Sequence, residues 1–219
     1  MTDQEILSRI DHTLLKADAS WEEIKALCNE AVRYKTATVC IPPSYVSSVF
    51  GEYGRTLVIC TVAGFPLGYT YPDVKAHEAG WALADGAEEI DMMINIGDIK
   101  NDRFDNVLNE IKNIKKICGE RILKVIVETC CLNEAEKIRM CGIVTESGAD
   151  FIKTSTGFAA SGAALADVRL FKQHLGSEVR IKAAGGIKTR EDMVAFIEAG
   201  ADRIGASSAV RLLTGGVVA

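Results

Sequence analysis

The sequence predicts an α/β protein, a single (β/α)8 TIM barrel over residues 1–219, on three observations. Eight short β-branched runs alternate with longer helical patterns. A weak repeat, GAEEI at 86, GADFI at 148 and GADRI at 200, recurs at a spacing that fits two strand–helix units each time. The chain also lacks the GxGxxG turn with which an open doubly wound sheet usually begins.

In order, the strand runs lie at 9–14 (RIDHTL), 36–41 (TATVCI), 56–63 (TLVICTVA), 88–95 (EEIDMMIN), 121–129 (RILKVIVET), 150–156 (DFIKTST), 179–184 (VRIKAA) and 202–207 (DRIGAS). Amphipathic segments fill 20–34, 71–85, 102–118, 133–147, 165–175 and 189–198. Ser20, Asn133 and Thr189 are N-caps, because a short side-chain oxygen there satisfies an otherwise orphaned first-turn N–H. Each repeat glycine suits the end of a helix, with an acid and a strand following it.

Composition narrows the function. With 219 residues, 48% hydrophobic and 25% charged, the chain is an ordinary globular domain, and no compositional break divides it. A net charge of −5 offers no basic face to a phosphate backbone, so general nucleic-acid binding is excluded while small anionic ligands are not. The N-terminus carries Asp3 and Glu5 without an apolar run, so it does not read as a signal peptide. The longest charge-free stretch, 56–72, is broken by Gly64, Pro66 and Gly68 and is no membrane helix. Seven cysteines lack any CxxC spacing, and His12, His77 and His174 are scattered. The expectation is a cytoplasmic protein with reduced thiols and no metal site.

Polar residues interrupt the strands: Asp11, Thr13, Cys40, Asp91, Asn95, Glu128, Lys153, Lys182 and Ser207. In a barrel of this kind, groups at the C-terminal strand ends build the active site. Lys153 in DFIKTST and Lys182 in VRIKAAGG stand on neighbouring strands, and alternation sets both opposite the β-branched face, hence into the lumen. Each could form a structural ion pair, for instance with Asp91 or Glu128, but two inward lysines side by side favour chemistry. Neighbouring strands are ~5 Å apart. Two ammonium groups at ~5 Å, with an effective dielectric of about 20, repel by roughly 3 kcal/mol, which favours proton loss from one of them about a hundredfold. The resulting amine condenses with a carbonyl to an imine, an electron sink for a carbanion on the adjacent carbon. Asp91, on the lumen phase of its strand, either shuttles protons between the lysines or neutralises one of them.

The loops after the last strands, AAGGIKT following Lys182 and GASS following Ile204, predict a phosphate site of backbone N–H donors. Gly185, Gly186, Ser207 and Ser208 would supply it together with Thr156 and Gly157. The string GADFIKT is not a P-loop, because Ile152 occupies the place a glycine must take before the lysine.

At these residues the sequence resembles the deoxyribose-phosphate aldolase family. The shared motifs are IDHTLLK at 10–16, VCIPP at 39–43, EIDMMINIG at 89–97, LKVIVET at 123–129, FIKTSTGF at 151–158, IKAAGGI at 181–187 and RIGASS at 203–208. The resemblance implies a class I aldolase without cofactor or metal, cleaving 2-deoxy-D-ribose 5-phosphate reversibly to D-glyceraldehyde 3-phosphate and acetaldehyde. Lys153 would form the Schiff base, Lys182 would perturb it, and Asp91 would join the proton relay. Asp11, Thr13 and Cys40 match positions near the substrate hydroxyls or the relay; Gly157, Gly185, Gly186, Ser207 and Ser208 match the phosphate site. His12 and Lys124 match motifs without a derivable role. The expected partners are the small-molecule substrates and further copies of the chain, as a dimer or tetramer. Competing readings are a class I aldolase for another sugar phosphate and a barrel that only binds a phosphorylated metabolite. The chain departs from many relatives in having Pro42 after the VC pair, Phe158 where some carry Lys, and Ala219 at the end where some carry Tyr.

Overall fold

Every one of the eight runs forms a strand, shorter than the run that announced it. In chain order the elements are α1 (Asp3–Leu7), β1 (Ile10–Thr13), α2 (Trp21–Tyr34), β2 (Thr38–Ile41), α3 (Val46–Tyr53), β3 (Ile59–Ala63), α4 (Pro72–Ala84), β4 (Glu89–Met93) and α5 (Ile96–Lys100). There follow α6 (Phe104–Cys118), β5 (Ile122–Ile126), α7 (Glu134–Ser147), β6 (Phe151–Lys153), α8 (Leu165–His174), β7 (Arg180–Ala184), α9 (Arg190–Glu198), β8 (Arg203–Ala206) and α10 (Ala209–Thr214). This computed structural model describes residues 1–215, and the expectation attached to Ala219 lies outside them. All strand pairs are parallel and β1 pairs with β8, closing the barrel.

The six expected helices stand within a residue or two of their predicted limits; α1, α3, α5 and α10 were not expected. Ser20, Asn133 and Thr189 each accept the N–H of the residue three positions on, and that residue's carboxylate accepts the cap's own N–H in return. The repeat has a physical role. Gly86, Gly148 and Gly200 take positive φ just past α4, α7 and α9, where a side chain would be strained. The acids that follow at 150 and 202 accept strand N–H groups, Asp150 from Leu123 and Asp202 from Ile181, each at the start of the preceding strand.

Alternation divides the strands into two faces that do different work. Outward residues such as Ile59, Ile90, Val125, Ile152, Ile181 and Ile204 are fully buried against the helices in one continuous apolar cluster. At roughly 25 cal/mol per Å² of apolar surface removed from water, this jacket is the main source of stability. The inward residues do not join that cluster.

Candidate active site

Carrying the register around the barrel stacks the inward residues in layers, each supplied by alternate strands. Lowest lie Thr38, Glu89, Phe151 and Arg203. Above them come Asp11, Cys60, Lys124 and Lys182, then Cys40, Asp91, Lys153 and Gly205, and at the top Thr13, Val62, Ile126 and Ala184. The middle of this barrel is therefore an ion network rather than a hydrocarbon core.

Asp91 is its hub. Its Oδ2 accepts from Lys153 Nζ and from Lys182 Nζ, both at 2.7 Å, and its Oδ1 accepts from Lys124 Nζ at 2.9 Å and from the Cys60 thiol at 3.2 Å. Lys153 and Lys182 are also direct partners in the ladder between β6 and β7. The acid that the sequence places between two lysines thus touches both, and a third. Asp11 bonds to Lys182 and Arg203 and lies 3.6 Å from Lys124, while Glu89 reaches Lys124 and Arg203. Lys182 needs room, and Gly205 provides it: a Cβ there would sit 3.2 Å from Lys182 Cε and 3.0 Å from Ala184 Cβ.

Four cations, Lys124, Lys153, Lys182 and Arg203, meet three carboxylates, Asp11, Glu89 and Asp91. Lys153 has the fewest carboxylate partners of the four, Asp91 alone among the described residues. Burial disfavours the charged form of each group, but opposite charges at contact outweigh it. For Asp91, burial is overcome by Lys124, Lys153 and Lys182, which hold its carboxyl well below the usual range. For Asp11 the same is done by Lys182, Lys124 and Arg203. Burial is likewise overcome at Lys182 by Asp11 and Asp91, which raise its pKa and keep it a cation.

Above the network opens a cavity of about 250 Å³ at the C-terminal ends of the strands. Of the three lumen lysines only Lys153 lines it; Lys182 and Lys124 are fully covered. Thr13, Thr156, Gly157, Gly185, Gly186 and Ser207 also line the cavity, so six of the residues expected around a phosphorylated substrate share one cavity. Gly157, Gly185 and Gly186 all have positive φ, and the loops after β6 and β7 meet backbone to backbone. There Gly162, which carried no sequence signal, lies so close that a Cβ on it would overlap the Gly185 carbonyl oxygen.

Three expected residues stand elsewhere. Asp11 and Cys40 are fully buried below the cavity floor, because alternation fixes the face a residue takes but not its depth along the barrel. Asp11 is consumed by Lys182 and Arg203, and Cys40 packs with Cys60 and Val62. Ser208 does not line the cavity, since one step beyond Ser207 turns the chain away. His12 faces outward and bonds to Glu30 at 2.7 Å. Pro42 caps a short 3-10 turn at 43–45. Phe158, 56% exposed, packs edge-on against Phe65 at 5.4 Å, and the Phe65 ring lies 6.0 Å from Lys153 Nζ.

Sequence reading missed Lys124 as a member of the network, and with it Cys60, Glu89 and Arg203. It also missed the part played by Glu128. Glu128 is buried with φ of 51°, and its carboxylate accepts the Thr156 N–H at 3.2 Å and the Thr156 hydroxyl. Thr156 Oγ1 in turn accepts the Phe158 N–H at 3.0 Å. This clasp fixes the loop that follows Lys153.

Comparison with known proteins agrees with this geometry. A profile described as DeoC/LacD family aldolase matches residues 5–218. The deoxyribose-phosphate aldolase of Clostridium botulinum (strain Eklund 17B) is 55% identical over 215 residues, 98% of this chain and 97% of the relative. That of Clostridioides difficile (strain 630) is 55% identical over 208 residues, 95% of each chain. Among solved structures, the deoxyribose phosphate aldolase of Aeropyrum pernix, described as a unique tetramer, superposes with a TM-score of 0.91 at 31% identity, covering 98% of this chain and 92% of that one.

Proposed function

The chain belongs to the DeoC/LacD aldolase family, and from that premise we propose that it cleaves 2-deoxy-D-ribose 5-phosphate reversibly to D-glyceraldehyde 3-phosphate and acetaldehyde. The observation that carries the residue roles is the position of Lys153. It is the one lumen lysine, among the described residues, that reaches the cavity, and it shares Asp91 with a buried cation.

The open-chain substrate enters with its aldehyde towards Lys153 and its phosphate towards Gly157, Gly185, Gly186 and Ser207. Lys153 is the lumen cation with the fewest carboxylate partners, and it shares Asp91 with the Lys182 ammonium. As a free amine it adds to C1; loss of water, with protons passed through Asp91, gives the protonated imine. Removal of the C3 hydroxyl proton then breaks the C2–C3 bond, and the electron pair enters the imine to give an enamine. The three-carbon aldehyde phosphate departs, C2 takes up a proton, and water releases acetaldehyde.

Acetaldehyde with borohydride tests these roles. The expected product is a single N-ethyl adduct on the peptide bearing Lys153; an adduct elsewhere, with full activity in Lys153→Ala, overturns the assignment. Turnover that favours a different sugar phosphate would replace the substrate, and binding without turnover would replace the chemistry.

We further infer a cytoplasmic homo-oligomer. No helix among the described residues is long and apolar enough to cross a membrane. Tyr71, just before α4, and Val74 and Trp81 within it follow helical spacing and are 81%, 52% and 70% exposed. Sedimentation velocity should show a dimer or tetramer, and a monomer at micromolar concentration contradicts it.

A further inference from the structure

Two thiols beside the active site have no part in the proposed chemistry. Cys130 and Cys131 close the 3-10 turn Thr129–Cys131 directly after Glu128. Both are exposed, with their sulfurs 4.0 Å apart, whereas the other five cysteines are buried. Cys131 lines a second cavity, of about 340 Å³, whose apolar wall is formed by Pro66, Leu67, Met93, Ile96 and Phe158. That cavity adjoins the catalytic one: Thr156 and Phe158 line both.

A thiol pair at this spacing can take a bridge more readily than a direct bond. Ordinary disulfides hold their Cα atoms about 4.4–6.8 Å apart, while consecutive Cα atoms are fixed at ~3.8 Å, so S–S closure strains the peptide between them. It would also distort the turn, in which the Cys131 N–H donates to the Glu128 carbonyl at 2.9 Å. An atom inserted between the sulfurs needs only a small approach from 4.0 Å. It must be soft enough to bind sulfur in preference to oxygen.

We propose that Cys130 and Cys131 form a dithiol site for trivalent aryl-arsenicals, with the aryl group seated in the neighbouring apolar cavity. Two As–OH bonds break and two As–S bonds form; each hydroxyl leaves as water with a thiol proton, and arsenic remains trivalent. The seated ring abuts Thr156, which Glu128 clasps, and Phe158, whose N–H Thr156 accepts. Resting on the proposed function, the consequence is weaker capture of the sugar phosphate with the Schiff-base lysine left competent.

The probe is phenylarsine oxide, which hydrates to the dihydroxy form. Intact mass should show one phenylarsenic per chain, removed by 2,3-dimercaptopropanol but not by an equivalent concentration of mercaptoethanol thiol. It should be lost in Cys130→Ser and in Cys131→Ser, both with unchanged basal turnover. In the labelled protein, KM for the sugar phosphate should rise at least tenfold while acetaldehyde trapping on Lys153 continues. Label retained in both serine variants, or mapped to the buried Cys40–Cys60 pair, overturns the site. An unaltered KM, or abolished trapping, overturns its link to the cavity. The mass measurement needs no turnover, so its result is independent of whether the aldolase assignment holds.

Discussion

Lys182→Met keeps most of the side-chain volume in the lumen and removes one charge, which isolates what that charge does. Lys153 Nζ and Lys182 Nζ both lie 2.7 Å from Asp91 Oδ2. The two nitrogens are therefore at most ~5 Å apart, where an effective dielectric of about 20 gives a repulsion of roughly 3 kcal/mol. Imine formation at neutral pH should fall about a hundredfold once that charge no longer stands beside the reacting nitrogen. Asp91 keeps Lys124 and Lys153 as partners, so it remains a carboxylate. Breaking a buried pair also costs about 3–5 kcal/mol of stability. Urea unfolding should accompany the kinetics, with rates compared where circular dichroism shows the variant folded. The assay is the rate of borohydride trapping of acetaldehyde between about pH 6 and pH 10. A folded Lys182→Met that traps at the wild-type rate at pH 7 refutes the reasoning.

Other outcomes follow from the same geometry. Gly162→Ala drives a Cβ into the Gly185 carbonyl, backbone that cannot yield as a flexible side chain would; at an overpacking cost of about 1–3 kcal/mol, KM for the phosphorylated substrate should rise tenfold or more, with unphosphorylated 2-deoxyribose little affected. Equal losses on both substrates would remove the link to phosphate. Asp11 has a depressed folded-state pKa, so its contribution to stability is complete above about pH 4 and drains as pH falls through the folded value. Denaturant titrations of wild type and Asp11→Asn should differ fully at pH 6 and converge in acid; a constant gap contradicts this. Activity should survive EDTA, because Lys and Arg already engage Asp11, Glu89 and Asp91. Loss that zinc restores would contradict it.

The strands were legible because β-branched runs bounded by turn residues have few other uses, and N-caps marked α2, α7 and α9. α3 was not, since VSSVFGEY mixes serines and a glycine into a short segment with no side-chain cap. Lys153, Lys182 and Asp91 could be read because ionisable residues in mid-strand are conspicuous. Lys124 shares that property, yet LKVIV resembles a strand whose lysine reaches solvent at its start. Its signal was phase: Glu89, Lys124 and Arg203 each lie two residues before a position that faces the lumen. Glu128 was conspicuous in the same way, but its partner is Thr156 rather than a lysine, because a left-handed glutamate at a strand end follows from that tertiary clasp and not from local preference. Asp11 and Cys40 show the limit of alternation. Depth depends on how far each strand is staggered against the next, which only the closed barrel determines.

The separation of the two strand faces has a practical side for anyone improving the protein. The apolar packing against the helices and the residues proposed for turnover lie in different side chains of the same strands, one residue apart: Ile152 beside Lys153, Ile181 beside Lys182, Ile90 beside Asp91. Repacking the outer set against its helices is therefore a route to a hardier protein that leaves the spacing of the interior ions unchanged.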